Sequence, residues 1–190
     1  LLELTNELQQ ASWREKINFM FSQQRETWEM AGNHYRQFET VERREVTFDG
    51  FKILIQHNPA RVRSTCANVS KEVIENRKCF LCVDHLPAEQ KGFTILNNYL
   101  MLVNPFPIFS KHLTISDINH VPQRVSNRIV DMLTLARVLK GLTVFYNGPQ
   151  CGASAPDHFH FQAGTSSEMP INSEIHELKN TKGKVLLKSD

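Results

Sequence analysis

The sequence predicts an α+β domain with an antiparallel sheet, helices packed on one face of that sheet, and a further helix at the N-terminus. Three observations favour this class. Apolar residues recur at helical spacing near the N-terminus and again after Pro122. Several short apolar or alternating segments lie between these two regions, and one more alternating segment follows the second. Because the strands come largely in succession, antiparallel pairing is favoured over a parallel sheet.

The N-terminal region, roughly residues 1–37, has the pattern of an amphipathic helix. Large or small apolar residues recur in steps of three or four, so one stripe must pack against a partner surface. These residues are Trp13, Ile17, Met20, Phe21, Trp28 and Ala31.

The strands are marked by turn residues. Asp49-Gly50 divides "REVTFDGFKILIQ" into two alternating segments, which predicts a tight hairpin. Asn97-Asn98 divides "FTILNNYLMLV" in the same way, and "KHLTISD" predicts another strand. Helical spacing from Pro122 to about Tyr146 predicts the second helix, with Pro122 in its first turn. The segment "HFHFQAG" then predicts a strand.

Composition limits the class of function. The 190 residues include 22 basic and 20 acidic side chains without a basic stripe, which argues against nucleic-acid binding. The sequence has no apolar run of the ~18 residues that a membrane span needs, and its polar N-terminus lacks a signal-peptide core. We therefore expect a cytoplasmic protein. We divide the chain into an extension at 1–40, a domain at 41–170, and a segment at 171–190 that is either a tail or the start of a further region.

The alternation in "HFHFQ" indicates a two-sided strand. His158, His160 and Gln162 would share one face, while Phe159 and Phe161 would point into the core. The preceding "NGPQCGAS" is rich in small residues, whose backbone amides can approach an anion closely, so phosphate is the expected ligand. Imidazole beside phosphate suggests nucleophilic attack on phosphorus. The alternative is a pair of strand histidines with purely structural hydrogen bonds.

A second motif, "CFLC", contains Cys79 and Cys82. Two thiols at this spacing supply half of a zinc site. A redox disulfide and two small buried apolar residues are the alternatives. The remaining ligands could come from any of several histidines: His85, His112, His120, His158 and His176. Cys66 and Cys151 lack partners at useful spacing and are predicted to be core residues.

The string "GASAPDHFHFQAG" resembles the active-site strand of the histidine triad superfamily, in particular its transferase branch, in which glutamine replaces the third histidine. That branch includes galactose-1-phosphate uridylyltransferase, ATP adenylyltransferases and GDP-L-galactose phosphorylases. The strings "NPFPIF", "NGP" and "APDHFHFQ" are also similar to uncharacterised proteins of gut Bacteroidetes. The resemblance covers roughly residues 55–165.

The resemblance implies a nucleotidyltransferase or phosphorylase that acts on a nucleoside diphosphate sugar or dinucleoside polyphosphate. His160 would become nucleotidylated, with His158 beside it in the catalytic strand. Gln162 would bind the phosphate and favour transfer to a phosphate-bearing acceptor. The phosphates would be held by a loop and by an arginine of "NPAR", for which a solvated surface arginine is the alternative. These residues are Asn147, Gly152, Ala153, Ser154 and Arg61.

The resemblance also implies a structural zinc ion bound by Cys79, Cys82, His112 and His158. The sequence departs from the uridylyltransferase pattern at Asp157, which separates Pro156 from His158. Superfamily members often pair two units, which implies a homodimer or a second half. The rival functions are a nucleotide hydrolase of the same superfamily, a nucleotide-binding module without turnover, and a zinc-stabilised interaction domain.

Overall fold

The computed structural model describes residues 6–49, 51–59, 68–149 and 151–180. The helices are α1 (Asn6–Gln10), α2 (Trp13–Thr27), α3 (Glu29–Glu39), α4 (Lys71–Asn76), α5 (Ile129–Val138) and α6 (Pro170–Asn180). The strands are β1 (Glu42–Phe48), β2 (Phe51–His57), β3 (Gly92–Ile95), β4 (Tyr99–Val103), β5 (His112–Asp117), β6 (Leu142–Phe145) and β7 (His160–Thr165).

Five strands form one antiparallel sheet in the order β3-β4-β5-β7-β6, and β1 pairs with β2 in a separate two-stranded sheet. The last strand, β7, lies between β5 and β6. The predicted α+β class is therefore confirmed.

Helices α2, α3 and α5 pack on one face of the five-stranded sheet. Met101, Ile115 and Phe161, from three neighbouring strands, pack in the same core cluster as residues of α2 and α5. Residues one position along the strands point to the opposite face, as the two-residue period requires. We call this second surface the polar face; its central residues are Thr114 and Ser116 of β5 with Gln162 and His160 of β7, which are direct partners in the sheet register.

The predicted single N-terminal helix is divided into α1, α2 and α3. Ser12 begins α2 with a capping box, in which its hydroxyl accepts a bond from the amide of Glu15 and the Glu15 carboxylate accepts one from the amide of Ser12. Trp28 is extended, with φ −117° and ψ 97°, and separates α2 from α3. The break lets the two helices pack against each other while the Trp28 side chain stays buried.

The hairpin predictions agree with the structure. Phe48 pairs with Phe51, which leaves two residues to connect β1 and β2, although Gly50 itself lies outside the described residues. β3 and β4 are joined around Asn97, which has a positive φ of 62° that asparagine tolerates well.

The predicted helix from Pro122 to Tyr146 was wrong in extent. Pro122 precedes α5 in irregular chain, and α5 covers only Ile129–Val138. Gly141, with φ +85°, redirects the chain into β6, whose four residues had been assigned to the helix. None of the helices in the described ranges combines the length and apolar character that crossing a lipid bilayer requires.

Candidate active site

The two phenylalanines of "HFHFQ" hold the start of β7 in the core. Phe159 and Phe161 are both fully buried, and their rings meet edge to face at 4.8 Å. His160 is the first residue of β7, whereas His158 lies just before the strand. The predicted alternation is therefore correct for the core side of the segment.

Among the described residues, one ring nitrogen of His160 has a hydrogen-bond partner and the other has none. Its Nδ1 lies 2.9 Å from the carbonyl oxygen of His158. A carbonyl only accepts, so Nδ1 carries the proton and Nε2 of the neutral ring carries the lone pair. Burial lowers the pKa of His160, which keeps the imidazole neutral near pH 7. A neutral imidazole with an unprotonated Nε2 is the form that can act as a nucleophile.

Gln162 lies on the polar face two residues beyond His160. Its Oε1 is 2.7 Å from Nε2 of His112, at the start of β5. When the imidazole donates to this oxygen, the amide NH2 of Gln162 is left to bind an anion. Ser116 lies opposite His160 in the sheet, and its buried Oγ has no hydrogen-bond partner among the described residues.

The small-residue loop precedes His158. The amide of Cys151 donates to the carbonyl of Gly148, and Gly152 adopts a positive φ of +89°. Within the described residues, no hydrogen bond uses the backbone amides of Gly152, Ala153 or Ser154. These amides are therefore candidate donors to an anion. The other predicted phosphate ligand, Arg61, lies outside the described residues.

A cluster of thiols and imidazoles lies beside the start of β7. Sγ of Cys79 and Cys82 and one ring nitrogen each of His120 and His158 all lie within 4.8 Å of one another. Nδ1 of His158 is 3.2 Å from Sγ of Cys79 and 3.6 Å from Sγ of Cys82, and Nδ1 of His120 is 3.2 Å from Sγ of Cys82.

The cluster fits a structural zinc ion. Tetrahedral zinc with bonds of about 2.3 Å to sulfur and about 2.0 Å to nitrogen separates its ligand atoms by roughly 3.3–3.8 Å, close to the distances observed. Nε2 of His158 lies 2.7 Å from the carbonyl oxygen of Asp117, so it donates there and Nδ1 presents its lone pair to the cluster. Two thiols and two imidazoles would complete the coordination shell, which is typical of a structural site.

Charge within the cluster favours a bound cation. Burial opposes ionisation of the Cys79 thiol, but its contact with His158 and hydrogen bonds from the backbone lower its pKa below the ordinary value. Burial and the neighbouring Cys79 raise the pKa of Cys82. A metal ion would remove this conflict, because it stabilises both thiolates.

The fourth candidate ligand differs from the prediction. We expected His112, but the structure brings His120 to the cluster and joins His112 to Gln162. The sheet register gives the reason. His112 pairs with Gly164, which is six residues beyond His158 and about 20 Å along the strand. His120 follows the other end of β5, beside the point where β7 begins. The position of His120 after β5 would have identified it from the sequence if the pairing of β5 with β7 had been known.

An outer layer of polar residues orients the cluster. Asp157 receives a hydrogen bond of 2.5 Å from Arg77 and lies 3.8 Å from Nε2 of His120. His85 donates through Nδ1 to the carbonyl of Cys79 at 3.0 Å. Asp157, which separates Pro156 from His158 in the sequence, therefore lies where it can orient a ligand.

The fold is similar to that of solved structures of another protein. Two crystal structures of yeast Ap4A phosphorylase Apa2 are similar: the complex with AMP at 20% identity and a TM-score of 0.52, and the complex with Ap4A at 17% identity and a TM-score of 0.52. The similarity covers 91% and 93% of this chain but only 55% and 58% of those chains, so the chain spans a little over half the length of the yeast enzyme.

The fold expected from the histidine triad resemblance is thereby confirmed. A search of curated protein sequences found no match. The model of a family described as "Domain of unknown function (DUF4922)" matches residues 20–165, which is most of the chain. The chain therefore belongs to the DUF4922 family and is built on a histidine triad-like fold.

Proposed function

We propose that the protein transfers a nucleotidyl group through a covalent intermediate on His160. The observation that carries the proposal is the state of the His160 ring, whose Nδ1 donates to the carbonyl of His158 and whose Nε2 is left as the nucleophile. The substrate class we favour is a dinucleoside polyphosphate or a nucleoside diphosphate sugar, with a phosphate group as the acceptor. The similarity in fold to an Ap4A phosphorylase supports the first of these.

In the first step, Nε2 of His160 attacks the α-phosphorus, a P–N bond forms, and the bond to the bridging oxygen breaks. The leaving phosphate departs with that electron pair. Positive charge on the substituted imidazole is shared with Nδ1, where the hydrogen bond to the His158 carbonyl stabilises it. In the second step, an oxygen of the acceptor phosphate attacks the same phosphorus and the P–N bond returns its electrons to the ring.

Electrostatic stabilisation would come from the loop and from Gln162. The transferred group carries its charge on equatorial oxygens, so catalysis depends on donors already in place. The amides of Gly152, Ala153 and Ser154 supply backbone donors, and the amide of Gln162 is oriented by His112. In this proposal zinc supplies no chemistry: Cys79, Cys82, His120 and His158 would hold it as a structural ion next to the nucleophile.

The test is covalent labelling. Protein incubated with Ap4A labelled at the α-phosphates should retain label after denaturation, and His160→Ala should retain none. The matched control is His34→Ala. His34 lies in α3, is partly buried and donates to the carbonyl of Pro105, so it belongs to no part of the proposed site. Label that persists in His160→Ala would remove the nucleophile from the proposal.

The acceptor is tested in the same system. Adding inorganic phosphate to the labelled protein should release a nucleoside diphosphate, whereas a hydrolase would release the nucleoside monophosphate with or without phosphate. Equal release under both conditions would assign the hydrolase function instead.

A further inference from the structure

A fully buried glutamine outside the predicted site bonds to the backbone of His160. Gln123 lies between β5 and α5, and its side chain has no exposed surface. Its Oε1 accepts from the amide of His160 at 2.7 Å. Its Nε2 donates to the carbonyl of His160 at 3.0 Å and to the carbonyl of Asn147 at 2.9 Å. The carboxamide thus uses its oxygen and both of its N–H groups.

The sheet register explains why a side chain is needed there. β6 pairs with β7 from Leu142 opposite Thr165 to Phe145 opposite Gln162. Continued by two residues, the same register would place Asn147 opposite His160. β6 ends at Phe145, however, and the carboxamide of Gln123 connects the two backbones instead. A carboxamide has the donor and acceptor of a peptide group, so it replaces the missing part of the ladder.

The other side of β7 cannot provide these bonds. The amide of Asp117 in β5 donates to the carbonyl of Phe159 at 2.9 Å. Since successive residues of a strand direct their backbone groups to opposite sides, those of His160 point away from β5. Buried backbone groups require partners, and Gln123 supplies both.

The bond to Asn147 also ties the nucleophile to the loop. Asn147 stands at the start of the small-residue segment that ends at Ser154, and the hydroxyl of Tyr146 donates to the carbonyl of Gln123 at 2.9 Å. The imidazole of His160 is bonded to the backbone of His158, so its orientation follows the backbone that Gln123 holds.

We propose that Gln123 is a positioning residue that keeps Nε2 of His160 in line with a phosphate bound by the backbone amides of Gly152, Ala153 and Ser154. This inference rests on the proposed function of His160. Gln123 keeps the backbone of His160 hydrogen-bonded beyond the end of β6. The chain that follows β6 can therefore turn away from β7 while His160 stays in place.

The experiment compares two buried glutamines. Gln24 is also fully buried, and its carboxamide likewise joins two backbone groups, with Nε2 donating to the carbonyl of Glu89 at 3.0 Å and Oε1 accepting from the amide of Lys91 at 2.9 Å. Gln123→Met and Gln24→Met should lose similar thermal stability. The single-turnover rate of His160 labelling at saturating Ap4A should fall on the order of a hundredfold in Gln123→Met, as expected for a displaced reacting group, and stay within about twofold of wild type in Gln24→Met.

Equal labelling rates in the two variants would overturn the inference, because Gln123 would then contribute stability alone. If Gln123→Met does not fold, Gln123→Glu provides the comparison. It retains the shape and the acceptor for the amide of His160 but lacks both donors, and its labelling rate should also fall while its affinity for nucleotide changes less.

A second measurement does not depend on catalysis. The amide of His160 should exchange with solvent at least tenfold faster in Gln123→Met than in wild type, and at the wild-type rate in Gln24→Met, as followed by NMR. If wild type is never labelled, the proposed function fails, yet the exchange rate still decides whether Gln123 holds this backbone. Unchanged exchange would overturn the inference.

Discussion

Ser116 and Thr114 are neighbours on the polar face, but their hydroxyl groups are in different situations. Oγ of Ser116 is buried without a partner among the described residues, whereas Oγ1 of Thr114 accepts a hydrogen bond from Asn104 at 3.1 Å. A buried polar atom without a partner costs free energy, so its presence opposite His160 needs a reason. Donation to a bound phosphate would supply one.

We expect Ser116→Ala to leave the free energy of unfolding unchanged or to raise it by up to ~1 kcal/mol, because the variant removes a buried group that has no partner. The rate of His160 labelling should fall about tenfold, which is the effect of one hydrogen bond. Denaturant unfolding and single-turnover labelling measure the two effects.

The matched control is Thr114→Val, which should lower the free energy of unfolding by roughly 1–3 kcal/mol. The substitution leaves the side-chain amide of Asn104 without its acceptor. A loss of stability in Ser116→Ala as large as that in Thr114→Val would show that the Ser116 hydroxyl has a structural partner and no role toward phosphate.

The elements show how local chemistry sets helix boundaries. The capping box of Ser12 and Glu15 begins α2, and the hydrogen bond to Ser12 lowers the pKa of the exposed Glu15 carboxyl. The short β6 shows conflicting local signals: its apolar residues continue the helical spacing, whereas Gly141 before it and its β-branched and aromatic residues favour a helix end followed by a strand. β6 becomes a strand because β7 offers an unpaired edge.

At this scale we predict that Ser12→Ala lowers the free energy of unfolding by about 1 kcal/mol, through loss of the cap. Ser22→Ala, in the exposed middle of the same helix, should have the opposite sign and stabilise by a few tenths of a kcal/mol, because alanine has the higher helix propensity. Thermal or denaturant unfolding of the two variants tests the difference. Equal effects of the two substitutions would contradict the role of the cap.

For the whole molecule, the cluster of two thiols and two imidazoles connects segments that are distant in sequence. It joins Cys79 and Cys82, which precede β3, to His120 after β5 and His158 before β7. A bound ion would therefore hold these segments in place around the start of β7.

We expect purified protein to contain about one zinc ion per chain by elemental analysis. Removal with a chelator should lower the melting temperature by about 10 °C or more, since structural metal sites contribute several kcal/mol. Cys79→Ser should lose the metal, while Cys151→Ser should retain it, since the Cys151 thiol is exposed and not in the core as predicted. Full zinc content in Cys79→Ser would contradict the ligand assignment.

Local patterns in the sequence were sufficient for much of the fold and part of the site. Turn residues located the β1–β2 and β3–β4 hairpins, and the two-residue period separated Phe159 and Phe161 from His160 and Gln162. These features depend on residues adjacent in the chain, so their physical cause can be seen without the rest of the molecule.

What only the tertiary structure decided depends on pairing between distant segments. The register of β5 with β7 brings His120, rather than His112, to the cysteines, and directs His112 to Gln162. The early end of β6 leaves the backbone of His160 to Gln123, 37 residues away in the chain. The sequence by itself determined the two hairpins and the two faces of the "HFHFQ" segment, because residue type and period are local properties. The fold decided their partners, because hydrogen bonds and metal coordination require atoms within a few ångströms that chain distance does not predict.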